Sequence, residues 1–199
     1  MYRQLIAVLR DALPKTDTIY LSMRNRAASQ ALPEIATSET DCFDFNDDSR
    51  KLSVQVIYDD DAKEGWDDEV GPAAGLLAAN KRDPDANWLV IACDYPFLTA
   101  GALKQLLQHS EDAPVTCFEN ESGWYEPLLA LWTPHALHVL ADNVRKGILG
   151  PKSAIKAVKG QGIRPLEERW LFNTNDQMEW QRALDLRDEH TPNDGMHVG

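Results

Sequence analysis

Positive charge is scarce in this chain: 20 lysines and arginines stand against 32 aspartates and glutamates, a formal charge of −12. No stripe of cations is available to replace the counterions of a phosphate backbone, which argues against nucleic acid as a partner. Cysteine is scarcer still. Cys42, Cys93 and Cys117 are an odd number in no metal-ligand spacing, so neither a disulfide framework nor a zinc site is expected, and all three are read as reduced packing thiols. No apolar run approaches the roughly 20 residues of a membrane helix, and the N-terminus lacks the pattern of a signal peptide. A cytoplasmic protein with no membrane partner is the expectation. The histidines are scattered, and the close pair His135 and His138 reads better as neighbours on a helix than as a zinc site. Nothing repeats and nothing resembles a linker, so one α/β domain is expected over residues 1–187, followed by a polar, disordered tail over 188–199.

What is present is a regular alternation of strands and helices. Tyr2, Leu5, Ile6, Leu9 and Leu13 fall at helical spacing up to Pro14, so the chain opens on an amphipathic helix with no strand before it. Thr18 to Ser22 reads as a strand. The stretch from Arg24 to Ser53 is polar, with at most a short helix near Ala27 to Ala31. Val54 to Tyr58 is the next strand and ends on an acid, Asp59. Three acidic runs, Asp47-Asp48, Asp59-Asp60-Asp61 and Asp67-Asp68-Glu69, read as solvated loops.

Gly71-Pro72-Ala73-Ala74-Gly75 then enters a helix through Pro72 at its first position. Small residues on that first turn let a ligand approach the free N–H groups, where the positive end of the helix favours an anion. The same pattern also serves tight packing of helix on sheet. Trp88-Leu89-Val90-Ile91-Ala92 follows as an apolar run, expected to be a strand buried on both faces. It ends in Cys93-Asp94-Tyr95-Pro96-Phe97. An acid delivered to the carboxyl edge of a parallel sheet faces the crevice where open α/β folds bind ligands. One carboxylate there suits magnesium, which fills its remaining positions with water and phosphate oxygen; the ordinary alternative is a turn or a cap.

Thr99 is placed to cap a helix over Ala100 to Gln108, and Thr133-Pro134 to start one ending near Val144. Strands are expected at Val115 to Phe118 and Glu126 to Trp132. Gly150-Pro151 opens a short helix bearing Lys152, Lys156 and Lys159, the one basic concentration in an acidic chain. Phe172-Asn173-Thr174-Asn175-Asp176 leads into a last helix to about Leu186, where asparagines commonly make an Asx turn or a cap.

Five of these segments, in order, resemble the molybdenum cofactor guanylyltransferases (MobA-like) and the wider group of similar nucleotidyltransferases. They are Asp59 after its strand, Gly71 to Gly75, Cys93 to Phe97, Glu126-Pro127-Leu128-Leu129-Ala130, and Phe172 to Asn175. The resemblance implies a three-layer Rossmann-like fold with a mostly parallel sheet. It also implies magnesium-dependent transfer of GMP from GTP, or of another nucleotide from its triphosphate, to molybdopterin or another small phosphorylated acceptor. On that resemblance Asp94 binds magnesium beside the α-phosphate. Asp59, Gly71 and Gly75 hold the nucleotide, while Lys152, Asn173 and Asn175 face the acceptor. The family's N-terminal strand and glycine-rich triphosphate loop have no counterpart in these residues. The central first strand is therefore expected to be missing, and the chain reads as beginning some thirty residues late.

That departure leaves two other readings. One is a non-catalytic, truncated or degenerate paralogue that acts as a binding protein. The other is a nucleotide-sugar glycosyltransferase in which Asp59-Asp60-Asp61 serves as an Asp-x-Asp metal site.

Overall fold

Helix α1 (Tyr2–Ala12) buries Leu5 and Ile6 and leads into strand β1 (Thr18–Met23), as the spacing of apolar residues predicts. The fold is taken from a computed structural model that describes residues 2–36, 40–46, 51–62, 70–110 and 113–189. The polar stretch after β1 holds more order than expected. Asn25 caps α2 (Arg26–Ser29), its side chain accepting from the Ala28 N–H at 2.8 Å. After α3 (Pro33–Ala36) come the short strand β2 (Cys42–Asn46) and β3 (Lys51–Tyr58). β2 carries two phenylalanines among polar neighbours and declares itself only by pairing with β3.

Beyond β3 the three aspartates form a 3-10 turn (Asp59–Ala62), not an open loop. Then follow α4 (Pro72–Arg82), β4 (Trp88–Ile91), α5 (Ala100–Gln108), β5 (Val115–Glu119) and β6 (Tyr125–Trp132). The chain closes with α6 (Pro134–Arg145), α7 (Pro151–Ala157), β7 (Gln161–Ile163), a 3-10 turn at Glu168–Leu171, and α8 (Gln177–Glu189). Thr99 and Thr133 cap α5 and α6, accepting from Ala102 and Ala136 at 3.3 and 3.4 Å. α8 continues past the expected domain end at 187; residues 190–199 of the expected tail lie outside the described residues, as do Asp47-Asp48 and Asp67-Asp68-Glu69.

The layered α/β architecture is the expected one, but strand direction is mixed where a mostly parallel sheet was expected. Two sheets form, ordered β1-β3-β2 and β4-β6-β5-β7. β1 runs parallel to β3, and β5 parallel to β7; β2–β3, β4–β6 and β5–β6 are antiparallel. The β5–β6 connection explains part of this, because a turn around Gly123, at φ 79°, leaves room only for a hairpin.

Helices cover both faces. On one side α4, α6 and α7 pack on Ile57, Val115, Ala130 and Trp132. On the other, α1 and α5 pack on Phe118 and Leu129, and α1 also on Ile19, Leu52 and Val54. All four residues of β4 are half-buried instead of fully buried, because β4 ends its sheet and has a strand on one side only among the described residues.

None of the three cysteines is in a disulfide. Cys117 is the packing thiol expected, and burial pushes it up to about 12. Cys42 and Cys93 are exposed, a correction for both; for Cys93 it follows from β4 ending at Ile91. His135 and His138 are both exposed on α6. Among the described residues no helix is long and apolar enough to cross a membrane.

Candidate functional site

Two groups of side chains gather at strand ends, each on its own sheet. The first sits where β1 and β3 finish side by side. Their parallel register sets Ser22 against Ile57 and Met23 against Tyr58, so Asp59, one residue on, reaches Ser22. The Ser22 hydroxyl donates to Asp59 Oδ1 at 2.8 Å. Helix α4 lies directly over this pair through Gly75. A Cβ there would stand 3.0 Å from Ser22 Oγ and 3.5 Å from Asp59 Oδ1, so glycine lets the helix approach.

Gly71 is the N-cap of α4, at φ 59° and ψ −139°. That positive φ suits glycine, while the space around it is open, with nothing within 4 Å of an added Cβ. Asp59 and Gly75 are thus brought together, and Gly71 stands one helical turn before Gly75.

The second group surrounds Asp94. Its Oδ1 is buried and has no hydrogen-bond partner. Burial raises the carboxyl above the usual carboxylate range, partly opposed by its own backbone hydrogen bond. The Asp94 carbonyl accepts from the Thr174 N–H at 2.9 Å and is reached by Thr174 Oγ1 at 3.2 Å. This pins the Asn173-Thr174-Asn175 segment to the Asp94 turn, with Asn173 half-buried and Asn175 exposed. The cap of α8 is Asp176, whose Oδ1 accepts from the Glu179 N–H at 2.8 Å. The Asn175 N–H donates to Glu179 Oε2 at 2.6 Å, so Asn175 contributes its backbone.

Glu126 completes the group. The buried Tyr95 hydroxyl donates to Glu126 Oε2 at 3.1 Å. Burial raises the Glu126 carboxyl and the nearby Asp94 charge adds to this, while the Tyr95 hydrogen bond and the Lys152 ammonium pull it down. Lys152 therefore lies within electrostatic reach of Glu126, and its Nζ stands 5.3 Å above the ring centre of Trp124, a cation–π contact. Asp94, Asn173, Asn175 and Lys152 so belong to one neighbourhood.

Ser22, Thr174, Glu126 and Trp124 had no assigned role from sequence. Glu126 was legible as part of its segment, but its pairing with Tyr95 crosses 31 positions. Trp124 is 59% exposed next to the glycine of a hairpin turn, a place where an aromatic has little to pack on.

The donor set suits a hard cation. A buried carboxylate oxygen lacking any partner is costly unless something positive completes it. Among the described residues no group of three or more histidines, cysteines or acids gathers into a cage, and magnesium needs only one or two carboxylates.

Comparison with known proteins gives a consistent outcome. A molybdenum cofactor biosynthesis bifunctional protein of Synechocystis is 33% identical over 100 residues, 49% of this chain and 29% of that protein. A protein of Synechococcus elongatus named probable molybdenum cofactor guanylyltransferase is 34% identical over 124 residues, 58% of this chain and 62% of that protein. The chain thus spans less than two thirds of the length of either relative. The crystal structure of molybdopterin-guanine dinucleotide biosynthesis protein A from Archaeoglobus fulgidus superposes with a TM-score of 0.64 at 19% identity. That match covers 93% of this chain and 86% of that one, and it establishes a shared fold. The family profile described as the MobA-like NTP transferase domain matches residues 2–161, four-fifths of the chain, and on that match this protein belongs to the MobA-like NTP transferase family.

Proposed function

We propose that this chain carries the nucleotidyl-transfer site of a molybdenum cofactor guanylyltransferase, using magnesium, GTP and a molybdopterin-type phosphate. The observation that carries this reading is the buried, unpartnered Oδ1 of Asp94 beside the Thr174 anchor. The names of the relatives support the choice of nucleotide and acceptor.

In the reaction an acceptor phosphate oxygen attacks the α-phosphorus of GTP, the α–β bridging bond breaks, and pyrophosphate leaves with that electron pair. The acceptor oxygen is already ionised at neutral pH, so no side chain has to act as its base. Positioning and charge neutralisation dominate such a step. Asp94 would hold the metal, whose contribution is to offset negative charge on the phosphates. Asp59, aimed by Ser22, accepts from N–H or O–H groups of the base or ribose, and Gly71 and Gly75 keep α4 free of side chains there. Lys152 attracts the acceptor phosphate. Asn173 and Asn175 supply neutral donors on the segment that Thr174 ties to the Asp94 turn.

Calorimetric titration with GTP, with and without magnesium, followed by pyrophosphate release on adding molybdopterin, tests the proposal. Magnesium-dependent GTP binding lost in Asp94→Asn supports the site. Binding without turnover supports the non-catalytic reading, and no binding by folded protein refutes the nucleotide site.

A further inference from the structure

Charge is placed very unevenly along this acidic chain. Residues 143–166 carry six of its 20 lysines and arginines and none of its 32 acids, so that stretch stands at +6 and, against a total of −12, the remainder at −18. In the fold it is the end of α6, the whole of α7, which packs against α6, and β7 after it. Arg145 pairs with Asp142 and Arg164 with Glu119. No carboxylate among the described residues pairs with the exposed Lys146, Lys156 or Lys159.

The turn between the two helices is apolar as well as basic. Helix α6 ends in a glycine cap: Gly147 has φ 79°, its N–H donates to the Val144 carbonyl at 2.9 Å, and the Ile148 N–H donates to the Asn143 carbonyl at 2.9 Å. In that cap the residue after the glycine commonly packs on an apolar side chain one turn back. Here those positions hold Asp142 and Asn143, and Ile148 is left 44% exposed, with Leu149 38% exposed. Three residues further on, Lys152 reaches the exposed ring of Trp124 on the β5–β6 hairpin. Three large apolar side chains therefore stand in water around the start of α7, among lysines that have no acid to hold.

We infer that this turn, with Trp124 beside it, is a docking surface for an acidic segment of another polypeptide, in which aspartates and glutamates flank two or three aliphatic or aromatic side chains. Unpaired ammonium groups select carboxylates, and an acidic partner is steered to this place because the rest of the chain repels it. Ile148, Leu149 and Trp124 add apolar area that a partner with side chains of its own removes from water. An anionic membrane offers charge and an apolar interior too. It is a plane wider than the patch, however, and would bring the −18 remainder of the chain up against like charge. A short segment lies within the patch and avoids that repulsion.

The test uses the whole protein and a fluorescein-labelled peptide, Asp-Glu-Leu-Asp-Phe-Leu-Glu-Asp, read by anisotropy. One control peptide carries serine in place of the apolar residues, and another carries lysine in place of the acids. Neither GTP nor acceptor is present, so the result stands apart from the nucleotide site. Binding at micromolar concentration is expected in roughly 50 mM salt, weakening about tenfold by roughly 200 mM. The serine peptide should bind at least about fivefold more weakly, and the lysine peptide should not bind. Lys146→Glu with Lys156→Glu should cost about tenfold or more, and Ile148→Ser with Leu149→Ser about fivefold. All four side chains are exposed, so both variants should keep the wild-type Tm.

No binding at millimolar peptide overturns the proposal, as does equal binding of the serine peptide or wild-type affinity in either variant. Sedimentation with phosphatidylserine-containing vesicles that is lost in the Ile148→Ser, Leu149→Ser variant also overturns it, since the occupant is then a membrane. A second copy docking its acidic face here would join head to tail. Mass that grows with concentration in light scattering, and stops growing in the Lys146→Glu, Lys156→Glu variant, overturns the proposal in favour of that occupant.

Discussion

Replacing Gly75 with alanine separates two effects of similar size. Within a helix interior alanine is favoured over glycine by about 0.8–1.0 kcal/mol. In this chain the added methyl would stand 3.0 Å from Ser22 Oγ, tighter than most such contacts, so Ser22 has to give way, which its hydroxyl does by rotating. That rotation breaks its 2.8 Å hydrogen bond to Asp59, which is exposed and so contributes toward the lower end of about 0.5–1.5 kcal/mol. The helix term is the larger, and Gly75→Ala alone stabilises by less than about 0.5 kcal/mol.

In a Ser22→Ala background the obstructing oxygen is gone and only the helix term remains. There Gly75→Ala stabilises by about 1 kcal/mol, which for a domain of this size is a rise of roughly 2–4 °C. Urea unfolding of the four proteins measures the coupling directly, expected at about 0.5–1.5 kcal/mol. Equal stabilisation by Gly75→Ala in both backgrounds would refute the contact between α4 and Ser22. GTP affinity supplies the functional half of the experiment: it falls in all three variants if Asp59 must be aimed by Ser22.

The Asp94 carboxyl lies above its ordinary value of 3.8 because it is buried, so the folded protein holds that proton to higher pH than the unfolded chain does. The resulting penalty on folding is absent below pH 3.8 and complete above the raised value. Asp94→Asn is therefore expected to melt higher than wild type at pH 7, with the advantage shrinking as pH falls toward 4, while magnesium raises only the wild-type Tm. Gly162→Ala places a methyl 2.5 Å from Glu119 Oε2 and 2.6 Å from Tyr125 Cε1, and chemical denaturation should show a loss of about 1–3 kcal/mol. Trp124→Ala removes a ring that is 59% exposed, so stability should change by less than about 0.5 kcal/mol. Under the proposed function the same change frees Lys152, whose Nζ lies 5.3 Å from the ring centre, and molybdopterin affinity, read by titration, should weaken by up to about fivefold, since an exposed cation–π contact contributes roughly 0.5–1 kcal/mol; GTP binding should not change.

Most elements were legible because their signals are local. Thr99 and Thr133 cap the helices their positions announce, and Pro72, Pro134 and Pro151 each stand at a helix start. Strand β2 was missed because the alternation Phe43-Asp44-Phe45-Asn46 is only two apolar residues long inside a polar stretch, and the strand forms by pairing with β3. β7 is three residues long and exists through its parallel pairing with β5. The burial of β4 was overstated because a run of apolar residues reports what a strand could bury, not how many neighbours it has. Within the site, the acid after each strand and the glycines of α4 could be read one by one. Ser22 with Asp59, Tyr95 with Glu126 and Thr174 with Asp94 are separated by 37, 31 and 80 positions, and no local pattern encodes such meetings.

Helix α4 touches β1, β3 and α6, so it fastens one sheet to the layer that covers the other, much as a splint holds two halves of a broken board. Its opening turn is also where Gly71 and Gly75 stand. A molecule settling on that turn would therefore press on the seam where one sheet meets the helical layer over the other.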